Sequence, residues 1–135
     1  MEIVIPTSFN FNYEECKKLF YDNQNLLEDF GDFDDIIKQT FFYSFFVNGV
    51  HIGCIYYYEI DGKLYVNAVA YRKTHLINIE CFKKSLTWWN CDIYARTHHK
   101  TAIYTILKCG FRKIGENLSI KDRSVKHGWR FKFKI

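Results

Sequence analysis

The sequence predicts an α/β chain of the α+β kind, a mostly antiparallel sheet of six to seven strands flanked by about four helices. Three observations predict it. Residues 40–71, TFFYSFFVNGVHIGCIYYYEIDGKLYVNAVAY, are dense in aromatic and β-branched residues, broken by Asn48-Gly49 and Asp61-Gly62, two strong hairpin signals. Apolar residues three and four apart recur before and after this block, as amphipathic helices require. The chain closes on WRFKFKI (129–135), in which Trp129, Phe131, Phe133 and Ile135 alternate with Arg130, Lys132 and Lys134, so one face of a strand is apolar and the other basic.

Element by element, EIVI (2–5) reads as a short strand closed by Pro6. Asn12 with Glu15 three residues on has the form of an N-cap and its capping partner, and Cys16, Leu19 and Phe20 continue a helical stripe over 12–23. Residues 25–39 are acidic and interrupted by Gly31, which fits a second short helix or an irregular linker. The aromatic block gives three antiparallel strands near 40–47, 50–60 and 63–70. A helix over 74–90 follows directly, with Thr74 as N-cap and Leu76, Ile79, Phe82, Leu86 and Trp89 on one face. CDIYA (91–95) suits a short strand. Residues 101–111 return to helical spacing and end at Gly110 in a left-handed conformation. Ser119-Ile120 and 129–135 form a closing hairpin around Asp122 to Gly128.

A length of 135 residues sets the expectation of one domain over 1–135. With 48% hydrophobic and 19% aromatic residues, seven glycines and one proline, the composition excludes a disordered or linker segment. No apolar run reaches the roughly 18–20 residues of a membrane span, and MEIVIPTSFN lacks the pattern of a signal peptide. A soluble, cytoplasmic chain without a membrane partner is expected. Five cysteines without CxxC spacing point to reduced, mostly buried thiols. Charge is segregated: residues 1–62 hold 11 acidic and 3 basic residues, residues 63–135 hold 4 acidic and 16 basic. Either two faces of one domain compensate each other, or the C-terminal half meets an anionic partner: a phosphate-bearing cofactor, an acidic protein or nucleic acid.

This order of elements, together with ARTHHKTAIYTILKCGFRKIGE (95–116), resembles the GNAT (GCN5-related N-acetyltransferase) superfamily, in a degenerate form known among bacteriophage proteins. Ala102, Gly110, Phe111 and Gly115 fall at that family's spacings, Tyr71-Arg72 looks like the start of its acyl-CoA loop, and Gly53 is usual in its second meander strand. The resemblance implies a central mixed sheet and a strand after the Gly-Phe pair. It also implies acetyl-CoA as cofactor, its pyrophosphate held at the strand-to-helix junction Arg72, Lys73, Thr74, His75, Leu76 and Ile77. Arg72 matches the motif's arginine, and with Lys73 it keeps positive charge there. His75 and Ile77 replace glycines, and their side chains crowd the close backbone approach that anion binding needs. In the later helix, Ile106 stands where many members carry the tyrosine that protonates the leaving thiolate. His99 replaces the asparagine that often opens that helix, and Tyr104 points to another helical face.

Acyl transfer to an amine needs a base and a proton donor for the coenzyme. Glu59, with Tyr58 and Asp61 near it, His98, His99 and Tyr104 are the candidates, weighed against ordinary solvated residues at a turn or a helix start. Cys81, Cys91, His98 and His99 match no compact zinc motif, and no metal is expected. Trp88 and Trp89 read as packing residues. The basic face of WRFKFKI, with Lys121, Arg123 and Lys126, is either a nucleic-acid or acidic-partner surface or an edge strand guarded by lysines. The first functional expectation is a GNAT-like protein of weakened or lost acetyl-CoA catalysis, a scaffold that binds a virion or host protein, in the host cytoplasm or the virion. The alternative is an acetyl-CoA-dependent N-acetyltransferase acting on a protein or small amine.

Overall fold

The computed structural model describes residues 3–4, 13–24, 32–71, 75–118 and 126–135. In chain order these form β1 (Ile3–Val4), α1 (Tyr13–Asp22), α2 (Phe33–Gln39), β2 (Phe41–Val47), β3 (Val50–Ile60), β4 (Lys63–Ala70) and α3 (His75–Leu86). Then come β5 (Ile93–Thr97), α4 (Lys100–Lys108), β6 (Arg112–Leu118) and β7 (Lys126–Phe133). The strands build one seven-stranded sheet in the order β1-β2-β3-β4-β5-β7-β6. Every pair is antiparallel except β4 and β5, which run parallel.

The meander forms where the turn chemistry places it. Asn48, Gly49, Asp61 and Gly62 all have positive φ, as two-residue hairpin turns that match the strand twist require. The alternation of β2, β3 and β4 then divides their side chains between two cores. Phe45, Ile55, Tyr57 and Val66 pack with Ile79, Phe82 and Leu86 of α3 and Ile106 of α4 on one face. On the other face Cys54, Tyr56 and Val69 pack against Cys16, Leu19 and Phe20 of α1 and Phe33 of α2. The sheet is thus the middle of three layers.

Several boundaries differ from the expected ones. The third helix stops at Leu86 rather than Asn90, because the Thr87 amide and hydroxyl both donate to the Lys84 carbonyl and close the last turn. Trp88 and Trp89 therefore reach the core from beyond the helix, Trp88 against Tyr43 and Phe45, Trp89 against Phe41 and Tyr57. Strand β5 begins two residues later than read. Gly110 ends α4 with φ +98°. Strand β6 covers 112–118, which periodicity did not signal, and Ser119-Ile120 lie outside the described residues. Strand β7 is interior, paired to β5 on one side and β6 on the other, so it is no edge strand. Ile135, read as apolar and inward, is 65% exposed. Of the five cysteines, all free, only Cys91 is exposed.

The start of β5 is tied to the end of the chain by Asp92, whose carboxylate accepts the Ile135 amide at 3.1 Å and pairs with Lys132 at 3.3 Å. The Ile135 amide first, then Lys132, hold the Asp92 carboxyl below its ordinary value. A depressed carboxyl stabilises the fold above its unfolded value, and that contribution is lost as pH falls through the lowered folded value. The variant Asp92→Asn should therefore melt below wild type near about pH 7, and the gap should shrink as pH falls below the ordinary carboxyl range and close once it is below the lowered folded value. Melting curves across that range check this, and a gap that persists in acid would contradict it.

Candidate functional site

Parallel pairing between β4 and β5 covers only Leu64 with Ile93 and Tyr65 with Tyr94. Beyond these pairs β4 stays with β3 and β5 stays with β7, so the two halves of the sheet part like a V. The opening is a cleft of about 540 Å³, within the range of small-ligand sites. One wall is β4 from Val66 to Tyr71, and the other is β5 from Ala95 to Thr97 with the start of α4. Ala68, Ala70, Ala95 and Ala102 keep it open because their side chains are small, and Thr97, Thr101 and Thr105 give it hydroxyls. The β4 ladder edge that faces β5 leaves its last partner at Tyr65.

Buried polar residues brace the β4 wall. Asn67 donates to the hydroxyls of Tyr56 at 3.2 Å and Tyr58 at 3.4 Å. Tyr71, at the strand's end, donates to the Glu15 carboxylate at 2.6 Å. That bond is the largest influence holding Glu15 below its usual value, while burial and then Glu15 push the Tyr71 phenol well above its own. Tyr71 therefore stays protonated and serves as a fixed donor. Glu15, read as a capping partner for Asn12, here ties α1 to the rim of the cleft; Asn12 lies outside the described residues. On the β5 wall the Arg96 guanidinium lies over the rings of Tyr58 and Tyr65, 5.9 and 5.4 Å from their centroids.

Of the four catalytic candidates, the structure brings His99 alone to the cleft. His99 caps α4, its amide donating to Thr97 Oγ1 at 3.1 Å. Glu59 sits exposed opposite Leu64, at the closed end of the V. Asp61 is in the hairpin turn, and Tyr104 is 48% exposed on the outer side of α4. His98 is not among the lining residues, whereas Ile106 is, and it is 5% exposed. Arg72, Lys73 and Thr74 lie outside the described residues, and His75, Leu76 and Ile77 form the first turn of α3, which follows β4 at the mouth of the cleft. Asn67, Arg96 and the three threonines were not singled out from the sequence. The one signal for them was Asn67 itself, a polar residue in an otherwise apolar strand.

Comparison with solved structures decides the fold. An N-acetyltransferase from Staphylococcus aureus Mu50 superposes with TM-score 0.73 at 15% identity, over 98% of this chain and 96% of that one. An acetyltransferase from Bacillus subtilis in complex with CoA gives 0.67 at 11% identity, over 98% and 97%. The fold is that of the GNAT acetyltransferases. A GNAT family acetyltransferase from Elizabethkingia anophelis with acetyl-CoA bound agrees, with TM-score 0.63 at 13% identity over 99% and 97%. No protein-family profile and no curated protein sequence matches the chain. At these identities the likeness is one of GNAT fold alone. Among the described residues no helix is long and apolar enough to cross a membrane.

Proposed function

We propose that this GNAT-fold protein binds an acyl-CoA in the cleft between β4 and β5 and transfers the acyl group to an amine slowly, its main work being binding. The observation that carries the proposal is the V-shaped parting of β4 and β5, lined by alanines and threonines. The narrow, small-residue lining suits an extended amide-bearing chain such as pantetheine. When bound, acyl-CoA would supply the acyl group as a reactive thioester.

The chain's own residues then set the rate. To His99, the one imidazole among the described lining residues, we assign the role of taking a proton from an incoming amine. Ile106 holds no proton, so α4 offers no acid from that position. General acid catalysis is worth about 10²–10⁴ in rate, which is the reason to expect weak turnover. A scaffold that engages a virion or host protein is compatible with the same site, since binding survives where turnover is poor.

Calorimetric titration tests the reading. Wild type should bind acetyl-CoA with roughly micromolar affinity, and Ala102→Trp, which fills the cleft from the α4 side, should weaken binding by about tenfold or more. Circular dichroism should show the variant folded. The absence of heat at about millimolar cofactor with wild type would sink the proposal.

A further inference from the structure

On the sheet face opposite α3 and α4, two thiols and an imidazole converge. Strand β3 carries His51 and Cys54 three residues apart, a spacing that puts side chains on opposite faces of a regular strand. Here the register with β2 shifts: Phe45 faces Gly53 and Phe46 faces His51, leaving Ile52 as an extra residue. The bulge turns Ile52 into the α3 core and brings His51 to the same side as Cys54. Cys16 of α1 comes down onto them.

The distances are those of a coordination shell. Cys16 and Cys54 Sγ are 3.5 Å apart, and Cys54 Sγ is 3.7 Å from His51 Nε2. All three ligand atoms lie within 4.8 Å of one another. Metal bonds of about 2.3 Å to sulfur and 2.0–2.1 Å to nitrogen in a tetrahedron place sulfurs about 3.8 Å apart and sulfur about 3.5 Å from nitrogen. Ser44 Oγ stands 3.0 Å from Cys16 Sγ and 3.7 Å from Cys54 Sγ. His51 turns Nε2 to the thiols while Nδ1 lies 3.0 Å from the Glu15 carboxylate. That is the arrangement in which a carboxylate orients a metal-binding histidine.

We propose that Cys16, Cys54 and His51, with Ser44 as the oxygen corner, form a binding site for a thiophilic divalent cation, zinc(II). On binding, both thiols lose their protons to solvent and each sulfur forms one bond to the metal, as does the neutral His51 Nε2. Two thiolates cancel the charge of the ion, so a neutral unit is buried. Cys16, Cys54 and Ser44 are fully buried and His51 is 8% exposed. A disulfide between the two cysteines would require the sulfurs to close from 3.5 Å to about 2.05 Å and would use neither the imidazole nor the hydroxyl beside them. The ion would join α1 to β2 and β3, and through Glu15 to Tyr71 at the rim of the cleft.

The test uses the reduced chain of 135 residues. Zinc is counted by elemental analysis, and cobalt(II) is loaded as a spectroscopic probe. One ion per chain is expected, with thiolate-to-cobalt charge transfer and the intense visible bands of a tetrahedral site. Cys91→Ser should be unchanged, whereas Cys16→Ser and Cys54→Ser should lose the charge-transfer band in part or entirely. Glu15→Gln leaves every ligand in place and should weaken zinc by about 10–100-fold in a competition titration. Because a cysteine variant can fail to fold, chelation of wild type is the second measurement. Removing zinc should lower the melting temperature, and restoring it should recover the loss. A natively folded, reduced chain that takes up neither ion overturns the proposal, as does cobalt bound without thiolate charge transfer.

Discussion

Replacing Gly128 by alanine should destabilise the protein by about 3 kcal/mol or more, against about 1 kcal/mol for Gly62→Ala. Both glycines have positive φ, +85° at Gly128 and +75° at Gly62. A left-handed conformation costs an L-residue roughly 1–2 kcal/mol wherever it occurs. The surroundings make the difference. A Cβ at Gly62 would meet nothing within 4 Å, while one at Gly128 would stand 2.4 Å from the Thr97 carbonyl oxygen and 2.7 Å from His98 Cα. Both obstacles are backbone, so no side-chain rotation relieves the clash, and β7 must lift away from the end of β5. Thr97 and Trp129 are paired there, and Thr97 lines the cleft, so the same change should also weaken acyl-CoA binding. For a chain of this size a loss of about 3 kcal/mol lowers the melting temperature by roughly 10 °C. Thermal unfolding of both variants beside wild type checks the prediction, and equal losses would show that the close approach of β7 to Thr97 is not there.

The meander was legible because its information is local. Asn-Gly and Asp-Gly dictate where the chain turns, and the aromatic and β-branched residues between them have little other use. The third helix was overread for a related reason: Trp88 and Trp89 prolong its apolar pattern, and nothing in the sequence says that Thr87 closes the helix and sends them into the core from a loop. Strand β6, RKIGENL, lacks alternation, and only the resemblance to GNAT proteins implied it. The cleft was legible as a strand-to-helix junction after Tyr71, but its walls were not. They arise because the β4–β5 pairing stops after Tyr65 and Tyr94, an event between segments nearly thirty residues apart. The approach of His51 to Cys54 was hidden by the strand rule itself, which puts residues three apart on opposite faces until a bulge adds Ile52. The walls of the cleft and the approach of His51 to Cys54 depend on register and on contacts distant in sequence, for which a single chain's periodicity carries no signal.

Tyr57→Ala should cost about 3–5 kcal/mol, while Tyr57→Phe should cost only about 1 kcal/mol. Tyr57 is fully buried in β3, its ring 4.9 Å from that of Trp89, with its hydroxyl 2.6 Å from Ser85 Oγ near the end of α3. Ser85 is itself fully buried and donates its one hydroxyl proton to the Phe82 carbonyl at 2.7 Å. It therefore accepts from Tyr57. Burial pushes the phenol well above its ordinary value, so this donor persists across the working pH range. Phenylalanine at 57 removes the donor but leaves the Ser85 proton satisfied, and the ring still fills its space. Alanine leaves a void beneath α3 that Trp89 and the helix cannot both close, which adds a cavity cost to the lost transfer energy. Denaturant unfolding followed by tryptophan fluorescence reads both, since Trp89 reports on that contact. A phenylalanine variant as unstable as the alanine one would mean that the hydroxyl pair, rather than the ring, joins α3 to the sheet.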